Sequence, residues 1–464
     1  MVAAGGPVAI PCLVETGFSS GEPTVGVCPR TGSVYEFPAG AGPAPAGHGA
    51  ARSTDQGATW ARVVPSLPGG VPSHQSSLDP YFYLDPATCR IFVDDWVADC
   101  TQLSWSDDEG ATWTNGVNNC GQFDHQTLFA GPAPAGGAPT AGYPNVVYQC
   151  AINLVGLADA SEATTCQKSL DGGLTWVFTG APPYVADPTL GDGRYGVPGA
   201  CDGATGHGVV DDRGWVYLPK GLCGKPFLAV SRDEGLTWSR LKVSDLRMAV
   251  MTSQQGAFYE HEAAVGVDRG HVLYYAWTAA DRMPYLSVSR DDGATWSAPA
   301  MVGLPGLKEV ALLQMAVGAP GHVAFVYMGS PDSPGGFPAQ AACDPSPAQC
   351  AADVAGSEPA GAVPPEYRNV TWGGYMGLSA DALDATPTVQ SVALNATGDP
   401  LVRAICGPIR CGAESDFLDV RIGPDGTPWA SLVDGCVDEC VRSGDADNAG
   451  RGVVGRLWGG PPLS

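Results

Sequence analysis

The sequence is short of lysine and of long apolar runs, and each shortage argues against a class of protein. Only five lysines occur among 464 residues, and the formal net charge is −24. Nucleic-acid affinity comes largely from Lys and Arg on phosphates, so a nucleic-acid partner is not expected. No apolar run reaches the roughly 18 residues that a membrane-spanning helix needs, so no membrane span is expected either.

Paired C-x-x-C motifs are also missing, and with only seven histidines a structural zinc site is not expected. Fifteen cysteines are nevertheless present. Such a content is typical of an oxidising compartment, so we expect a secreted or extracellular protein whose leader is absent from this chain. Because the total is odd, at least one thiol is free or intermolecular.

Five cysteine pairs are close enough in sequence for local disulfides, although sequence alone does not fix their connectivity. These pairs are Cys150 with Cys166, Cys201 with Cys223, Cys343 with Cys350, Cys406 with Cys411, and Cys436 with Cys440. The cysteines left unassigned are Cys12, Cys28, Cys89, Cys100 and Cys120.

One short motif, S-x-D-x-G-x-T-W, occurs five times. Successive copies begin 53, 63, 62 and 58 residues apart, and a near-constant period indicates stacked, similar units. Ser and Asp can bond nearby backbone N–H groups, Gly accepts a positive φ, and Thr and Trp suit the start of a strand. We therefore expect each copy to form a structural turn within a four-stranded sheet. The copies begin at Ser53, Ser106, Ser169, Ser231 and Ser289.

These repeats resemble Asp-boxes, the turns that recur in sialidases, sortilin-type receptors and several glycoside hydrolases. The resemblance covers most of residues 22–300 and implies an all-β fold, a β-propeller in which each copy links the third and fourth strands of a blade. The strand pattern continues after the last copy. Met376 to Asp381 has the form of a decayed box, and Phe417 to Ile422 begins a further unit.

We therefore predict that the whole chain, residues 1–464, forms a single propeller of seven blades, with the six blades of sialidases as the alternative. Pro7 to Val14 is expected to pair with Gly452 to Trp458 and so close the ring, which removes exposed sheet edges. A Pro-, Ala- and Gly-rich segment from Gly329 to Tyr367 is predicted to be an inserted loop.

In a propeller the innermost strands line a central channel and begin at one mouth of it. Every predicted inner strand has a polar or ionisable residue near its start, and converging carboxylates should perturb one another's pKa values. The candidate catalytic residues are Asp79, Asp124, His125, His261, Glu262 and Asp416. The candidate binding residues are Glu22, His207, Tyr259 and Gln314. Asp419 lies in the last of these strands, and polar channel residues without function are the alternative for the whole set.

Sialidases hold the sugar carboxylate with three arginines, the first in an F-R-I-P-type motif, and use a tyrosine–glutamate nucleophile pair. The nearest match here, Tyr35-Glu36-Phe37-Pro38, contains no arginine. Tyr259 and Glu260 could mimic the nucleophile pair, but adjacent strand residues point to opposite faces. An acidic ring without the arginines would repel a carboxylate substrate, so sialidase activity itself is not expected.

Two classes of function remain. The first is a glycosidase that hydrolyses a neutral or cationic glycan by acid–base chemistry at the channel mouth. The second is a non-catalytic propeller that binds a glycan, a peptide or a protein through exposed aromatic residues such as Tyr81, Tyr83 and Trp96. No cofactor is required by either, although Asp445 to Asn448 has the alternating oxygens of a weak calcium-binding pattern. The sequence leaves the oligomeric state open.

Overall fold

The fold is built almost entirely from β-strands in repeated four-stranded sheets. The computed structural model describes residues 9–39, 49–73, 80–97, 100–120, 123–153, 163–185, 205–222, 224–252, 258–260, 262–334, 369–403, 417–437, 439–443 and 450–464. The strands within these ranges form seven sheets of propeller-blade size, together with two two-stranded ribbons. This confirms the prediction of a seven-bladed propeller over the six-bladed alternative.

Blades I to III each contain four antiparallel strands in chain order. Blade I is β2 (Thr24–Val27), β3 (Val34–Ala39), β4 (Gly49–Ser53) and β5 (Ala61–Val63). The ribbon of β6 (Ser66–Leu67) and β7 (Val71–Pro72) follows. Blade II is β8 (Tyr81–Leu84), β9 (Ile91–Val97), β10 (Cys100–Ser106) and β11 (Thr114–Cys120). Blade III is β12 (Phe123–Gly131), β13 (Val146–Asn153), β14 (Thr164–Ser169) and β15 (Val177–Phe178).

Blades IV to VI continue the same pattern. Blade IV is β16 (Val209–Val210), β17 (Val216–Leu222), β18 (Lys225–Ser231) and β19 (Ser239–Lys242). The ribbon of β20 (Val250–Thr252) and β21 (Phe258–Glu260) precedes blade V. Blade V is β22 (Ala264–Val267), β23 (Leu273–Thr278), β24 (Pro284–Ser289) and β25 (Ala300–Met301). Blade VI is β26 (Glu309–Val317), β27 (Val323–Ser330), β28 (Thr371–Ser379) and β29 (Gln390–Ala393), with β30 (Val402–Arg403) also paired to β28.

Blade VII joins the two ends of the chain. Its strands are β31 (Asp419–Ile422), β32 (Pro428–Asp434), β33 (Arg451–Trp458) and β1 (Ile10–Ser19), and the short helix α1 (Glu439–Ser443) follows β32. β1 is antiparallel to β33, with Ile10 opposite Trp458 and Val14 opposite Val454. The predicted closure is confirmed by the pairing described from Ile10 onward, and Pro7 lies outside the described residues.

The first strands of the blades form a closed ring. β2 contacts β8, and the contacts continue through β12, β16, β22 and β26 to β31, which contacts β2 again. These inner strands begin at one end of the ring, called the channel mouth below. Blade-to-blade packing between the sheets is apolar, as in the cluster of Tyr35, Phe37, Phe82 and Val93 between blades I and II. Within the described residues, no helix is long and apolar enough to cross a membrane.

All five copies of the repeated motif lie at the opposite end of the blades, called the motif face below. Each begins at the last residue of a third strand and precedes the fourth, as predicted. In every copy the Ser hydroxyl donates to the Asp carboxylate at 2.8 Å, and the Thr hydroxyl donates to the same carboxylate at 2.6 Å. The motif glycines need a positive φ, for example 86° at Gly57. The decayed copy keeps the bond from Ser379 to Asp381, at 2.9 Å.

Two of the predicted disulfides, Cys150–Cys166 and Cys436–Cys440, are present. The other three predicted pairs each include a cysteine outside the described residues. Cys28 and Cys89 form a bridge between blades I and II, and Cys100 and Cys120 join neighbouring strands of blade II. Cys12 on β1 is a free thiol. The predicted inserted loop begins at Gly329, but β27 continues through Ser330, and residues 335–368 lie outside the described residues.

Candidate functional site

A buried carboxylate joins three blades at the channel mouth. Glu262, just before β22, accepts a hydrogen bond from Gln314 Nε2 on β26 at 2.8 Å. Its other oxygen lies 3.0 Å from Nδ1 of His125 on β12. As a carboxylate Glu262 can only accept, which places the Nδ1 proton on His125. All three side chains are at most 5% exposed. We call His125 with Glu262 the closed pair, and Gln314 supports this pair.

Two strand irregularities bring these side chains together. The pairing of β12 with β13 shifts between Asp124 and Thr127, and His125 within this bulge has a φ of 49°. The pairing of β26 with β27 shifts between Ala311 and Gln314, and Leu312 there has a φ of 55°. A positive φ is uncommon for His and unfavourable for Leu, and bulges commonly redirect side chains next to active sites. Two of the ten non-glycine residues with a positive φ among the described residues therefore lie beside the Glu262 contacts.

A second histidine and carboxylate face each other in the same ring. Nδ1 of His207, just before β16, lies 3.7 Å from Oδ1 of Asp419 on β31, beyond hydrogen-bond distance. Both ring nitrogens of His207 are buried without a hydrogen-bond partner in the described part of the chain. Asp419 is held firmly, by the backbone N–H groups of Val25 and Val420 and by Arg421 at 3.1 Å. We call His207 with Asp419 the open pair.

Tyr81, at the start of β8, lies between the two pairs. Its ring meets that of His207 edge to face at 5.3 Å, and Phe417 packs on His207 at 5.2 Å. Burial raises the pKa of Tyr81 most, and the negative charges of Asp419 and Glu262 raise it further. Tyr81 is only 1% exposed, so the prediction that it is an exposed binding residue was wrong. Its ring instead packs beside the histidine of the open pair.

Two more carboxyl groups are buried on the second strands of blades I and II. Burial raises the pKa of Glu36 on β3 and of Asp94 on β9 to about 8 in each case. Each has one oxygen bonded to a single side chain, Ser20 and Gln149 respectively, at 2.5 Å. The other oxygen of each is buried without a described partner. Both groups therefore hold a proton at neutral pH.

The sequence-predicted site residues divide into three sets. His125, Glu262 and Gln314 meet, and His207 lies in the same ring with Asp419. Glu22 is buried just before β2 with a φ of 54°, but no described contact links it to either pair. The third set lies outside the described residues and consists of Asp79, His261 and Asp416, together with the side chains of Asp124 and Tyr259. The weak calcium pattern at 445–448 also lies outside it.

Sequence reasoning missed Arg421, Glu36 and Asp94 as part of this region. Arg421 could have been found from the alternation of Asp419 and Arg421 along one inner strand, since such residues share a face. Asp94 could have been found as a carboxylate inside an apolar strand. Within the described residues, no group of three or more His, Cys, Asp or Glu side chains is arranged to hold a metal ion.

Comparison with known proteins gives distant similarity only. No protein-family model and no curated protein matches the chain. A Dyadobacter fermentans protein of unknown function is 12% identical, with a TM-score of 0.44 over 98% of this chain and 100% of that one. An α-L-arabinanase from Penicillium chrysogenum is 12% identical, with a TM-score of 0.42 over 69% of this chain and 93% of that one.

A mutant of Trypanosoma rangeli sialidase displaying trans-sialidase activity is also 12% identical. Its TM-score is 0.39, and the match covers 85% of this chain and 56% of that one.

Proposed function

We propose that the protein is a secreted Asp-box propeller that hydrolyses a neutral or cationic glycan at its channel mouth by acid–base chemistry. The observation that carries the proposal is the closed pair. Glu262 bonds both His125 and Gln314 inside a strained, bulged part of the ring. Such an arrangement fixes the tautomer and orientation of a general base. The four described disulfides support secretion.

In this reaction His125 acts as the base and a carboxyl group acts as the acid. With Nδ1 held by Glu262, His125 takes a proton from water at Nε2 while the water oxygen bonds to the anomeric carbon. The bond from that carbon to the leaving oxygen breaks, and a carboxylic acid gives this oxygen its proton. Asp79, Asp124 and Asp416 are the candidates for that acid. Asp419 is paired with Arg421, and its charge would stabilise positive charge that develops on the sugar ring.

Gln314 and His207 would complete the site. Gln314 is a positioning residue, because it fixes the second oxygen of Glu262. His207 would bind substrate, since its two ring nitrogens have no hydrogen-bond partner among the described residues and can exchange hydrogen bonds with sugar hydroxyls. A sialoside is expected to be a poor substrate, because Glu262 and Asp419 would repel its carboxylate.

The proposal is tested by hydrolysis of a panel of fluorogenic glycosides, one of them a sialoside, with purified protein in the presence and absence of EDTA. We expect turnover of at least one neutral or amino-sugar glycoside, reduced at least 100-fold in Glu262→Gln. Asp171→Asn, on the motif face, is the matched control and should retain activity. Loss of activity in both variants would point to misfolding rather than chemistry.

Absence of turnover across the panel, together with binding of a glycan from the same panel, would overturn hydrolysis in favour of a binding propeller. Turnover of the sialoside at a rate like that of the neutral glycosides would contradict the predicted repulsion. Loss of activity with EDTA would show that a metal ion takes part in the reaction.

A further inference from the structure

The ring is closed around a buried carboxyl group. Glu36 on β3 of blade I faces the pair of strands β1 and β33 in blade VII, and Glu36 is 0% exposed. The Ser20 hydroxyl, one residue beyond β1, lies 2.5 Å from Glu36 Oε1, and the backbone N–H of Ser20 donates to Gly450 O at 3.0 Å. One carboxyl group therefore contacts the first strand and the strand that closes on it.

Pairing between the closing strands is interrupted at the level of this carboxyl. Glu15 lies opposite Val453 and Ser19 lies opposite Arg451, so three residues of β1 bulge opposite Gly452. Gly17 in this bulge has a φ of 82°, and the Thr16 hydroxyl donates to Gly452 O at 3.0 Å. A Cβ at position 452 would lie 2.8 and 2.9 Å from the two oxygens of Glu36. A side chain at position 452 would therefore have to displace the carboxyl group of Glu36.

The carboxyl group is uncharged at neutral pH. Burial raises the pKa of Glu36 to about 8, and the bond with Ser20 opposes this rise. The charged groups of the elements packed around it, among the described residues, are Glu15, Arg52, Asp434, Arg451 and Arg456. None of them is among the causes of the shift. Arg52 and Arg451 bind other carboxylates, Glu109 and Glu15. Ionised Glu36 would thus be a buried charge without a described cation.

We propose that Glu36 is a proton-operated latch that keeps the β1 strand paired in blade VII and releases it when the carboxyl group loses its proton. Protonated, the group bonds Ser20 and fits against Gly452. Ionised, it gains hydration only if β1 separates from β33. Blade VII also carries Asp419 of the open pair on β31, so release of β1 loosens the blade that holds one functional carboxylate. The latch is independent of whether the mouth hydrolyses a glycan.

The test is hydrogen exchange by mass spectrometry at pH 7.0 and pH 9.5, with protection factors compared for the peptide containing β1. Asp434, whose burial-raised pKa is about 6, is ionised at both values. We expect protection of β1 to fall about tenfold more than protection of β27 in the wild type. Glu36→Gln keeps the shape of the protonated group. In this variant the protection factors of β1 and β27 should change by the same factor between the two pH values.

Two further variants make the result specific. Asp94→Asn removes a carboxyl group of similar pKa from blade II, and β1 should still be released as in the wild type. Ser20→Ala removes the bond that lowers the pKa of Glu36, so release should move to higher pH. Equal loss of β1 protection in the wild type and Glu36→Gln, or no selective loss in the wild type, overturns the latch. If Glu36→Gln does not fold, the direction of the Ser20→Ala shift decides.

Discussion

The two ends of the propeller contain carboxyl groups whose pKa values are shifted in opposite directions. On the motif face each carboxylate is met by hydroxyl and backbone donors from its own turn, which lowers the pKa of Asp55 to about 2, chiefly through the Thr59 side chain. Toward the channel mouth Glu36 and Asp94 are buried with one partner each, and their pKa values are raised to about 8. Local hydrogen bonds therefore set the pKa of Asp55, whereas desolvation sets the pKa values of Glu36 and Asp94.

Backbone conformation differs between the ends in how regularly it recurs. On the motif face every copy has two successive residues with a positive φ, the motif glycine and the residue before it, which is Gln56, Glu109, Glu234 or Asp292 in four copies and Gly172 in the third. At the mouth, a positive φ is adopted by His125 and Leu312, each in a bulge that occurs once in its own strand. Bulges that occur once commonly redirect side chains next to active sites, whereas the motif turn is repeated with the same internal hydrogen bonds in each copy.

The largest expected effect is on activity. His125→Asn removes the proposed base but can keep a bond to Glu262, so we expect turnover to fall 100-fold or more with little change in melting temperature. Asp233→Asn on the motif face should do the reverse and lower the melting temperature with activity retained. Both quantities are measured on the same preparations, by the fluorogenic assay and by thermal unfolding. An Asp233→Asn variant that folds normally yet is inactive would contradict the division between the two ends.

The next effect is on the pH dependence of stability. Because burial raises the folded-state pKa of Asp94 above its ordinary value, the folded protein keeps a proton that the unfolded chain releases above about pH 4. The free energy of unfolding should therefore fall as pH rises from about 4 to about 8, by up to a few kcal/mol. Asp94→Asn should reduce this slope in denaturant titrations across that range, whereas an unchanged slope would show that Asp94 is not buried as a neutral acid.

A smaller effect is expected from breaking one motif turn. Asp233→Ala removes bonds to the Thr237 hydroxyl, the Thr237 N–H and the Ser231 hydroxyl. Because the motif turn is partly open to solvent, we expect a loss of about 1–2 kcal/mol in the free energy of unfolding at pH 7. The pKa of Asp233 is lowered, so the turn's contribution is lost as pH falls through that pKa. The difference between Asp233→Ala and wild type should therefore shrink in acid.

The smallest effect concerns the two motif copies that carry Leu where the others carry Ala. Leu236 is 63% exposed, and copies one, two and five have Ala58, Ala111 and Ala294 at this position. Leu236→Ala should change the free energy of unfolding by less than about 0.5 kcal/mol and leave activity unchanged. A larger loss of stability would show that this exposed leucine is packed in solution.

Most of the fold could be predicted from the sequence because its information is local and repeated. The spacing of Ser, Asp, Gly, Thr and Trp fixes a turn, and five such turns fix the blade period. The closing strand was predictable for a different reason, since the last blade lacked a fourth strand after Trp458. Only the bounds were inexact, because β1 extends through a bulge to Ser19.

The candidate site was predictable in composition but not in geometry. His125 and Glu262 lie near inner-strand starts and Gln314 lies past the middle of β26, and their contacts depend on bulges that have no pattern in the sequence. The gap of 3.7 Å in the open pair depends on how far apart blades IV and VII sit across the ring. Glu36 and Asp94 each stand within a largely apolar strand, but the sequence does not show that the carboxyl group is buried as a neutral acid.

The direction of the closing strand also sets the response of the ring to mechanical load. Ile10 and Trp458 are neighbours, so a force that pulls these two residues apart acts at one end of the β1–β33 ladder. The hydrogen bonds would then break one after another, as in a zipper, rather than all together in shear. Separation of the two strands would proceed from Ile10 to the bulge of Thr16 and Gly17. The Cys28–Cys89 bridge would keep blade I attached to blade II.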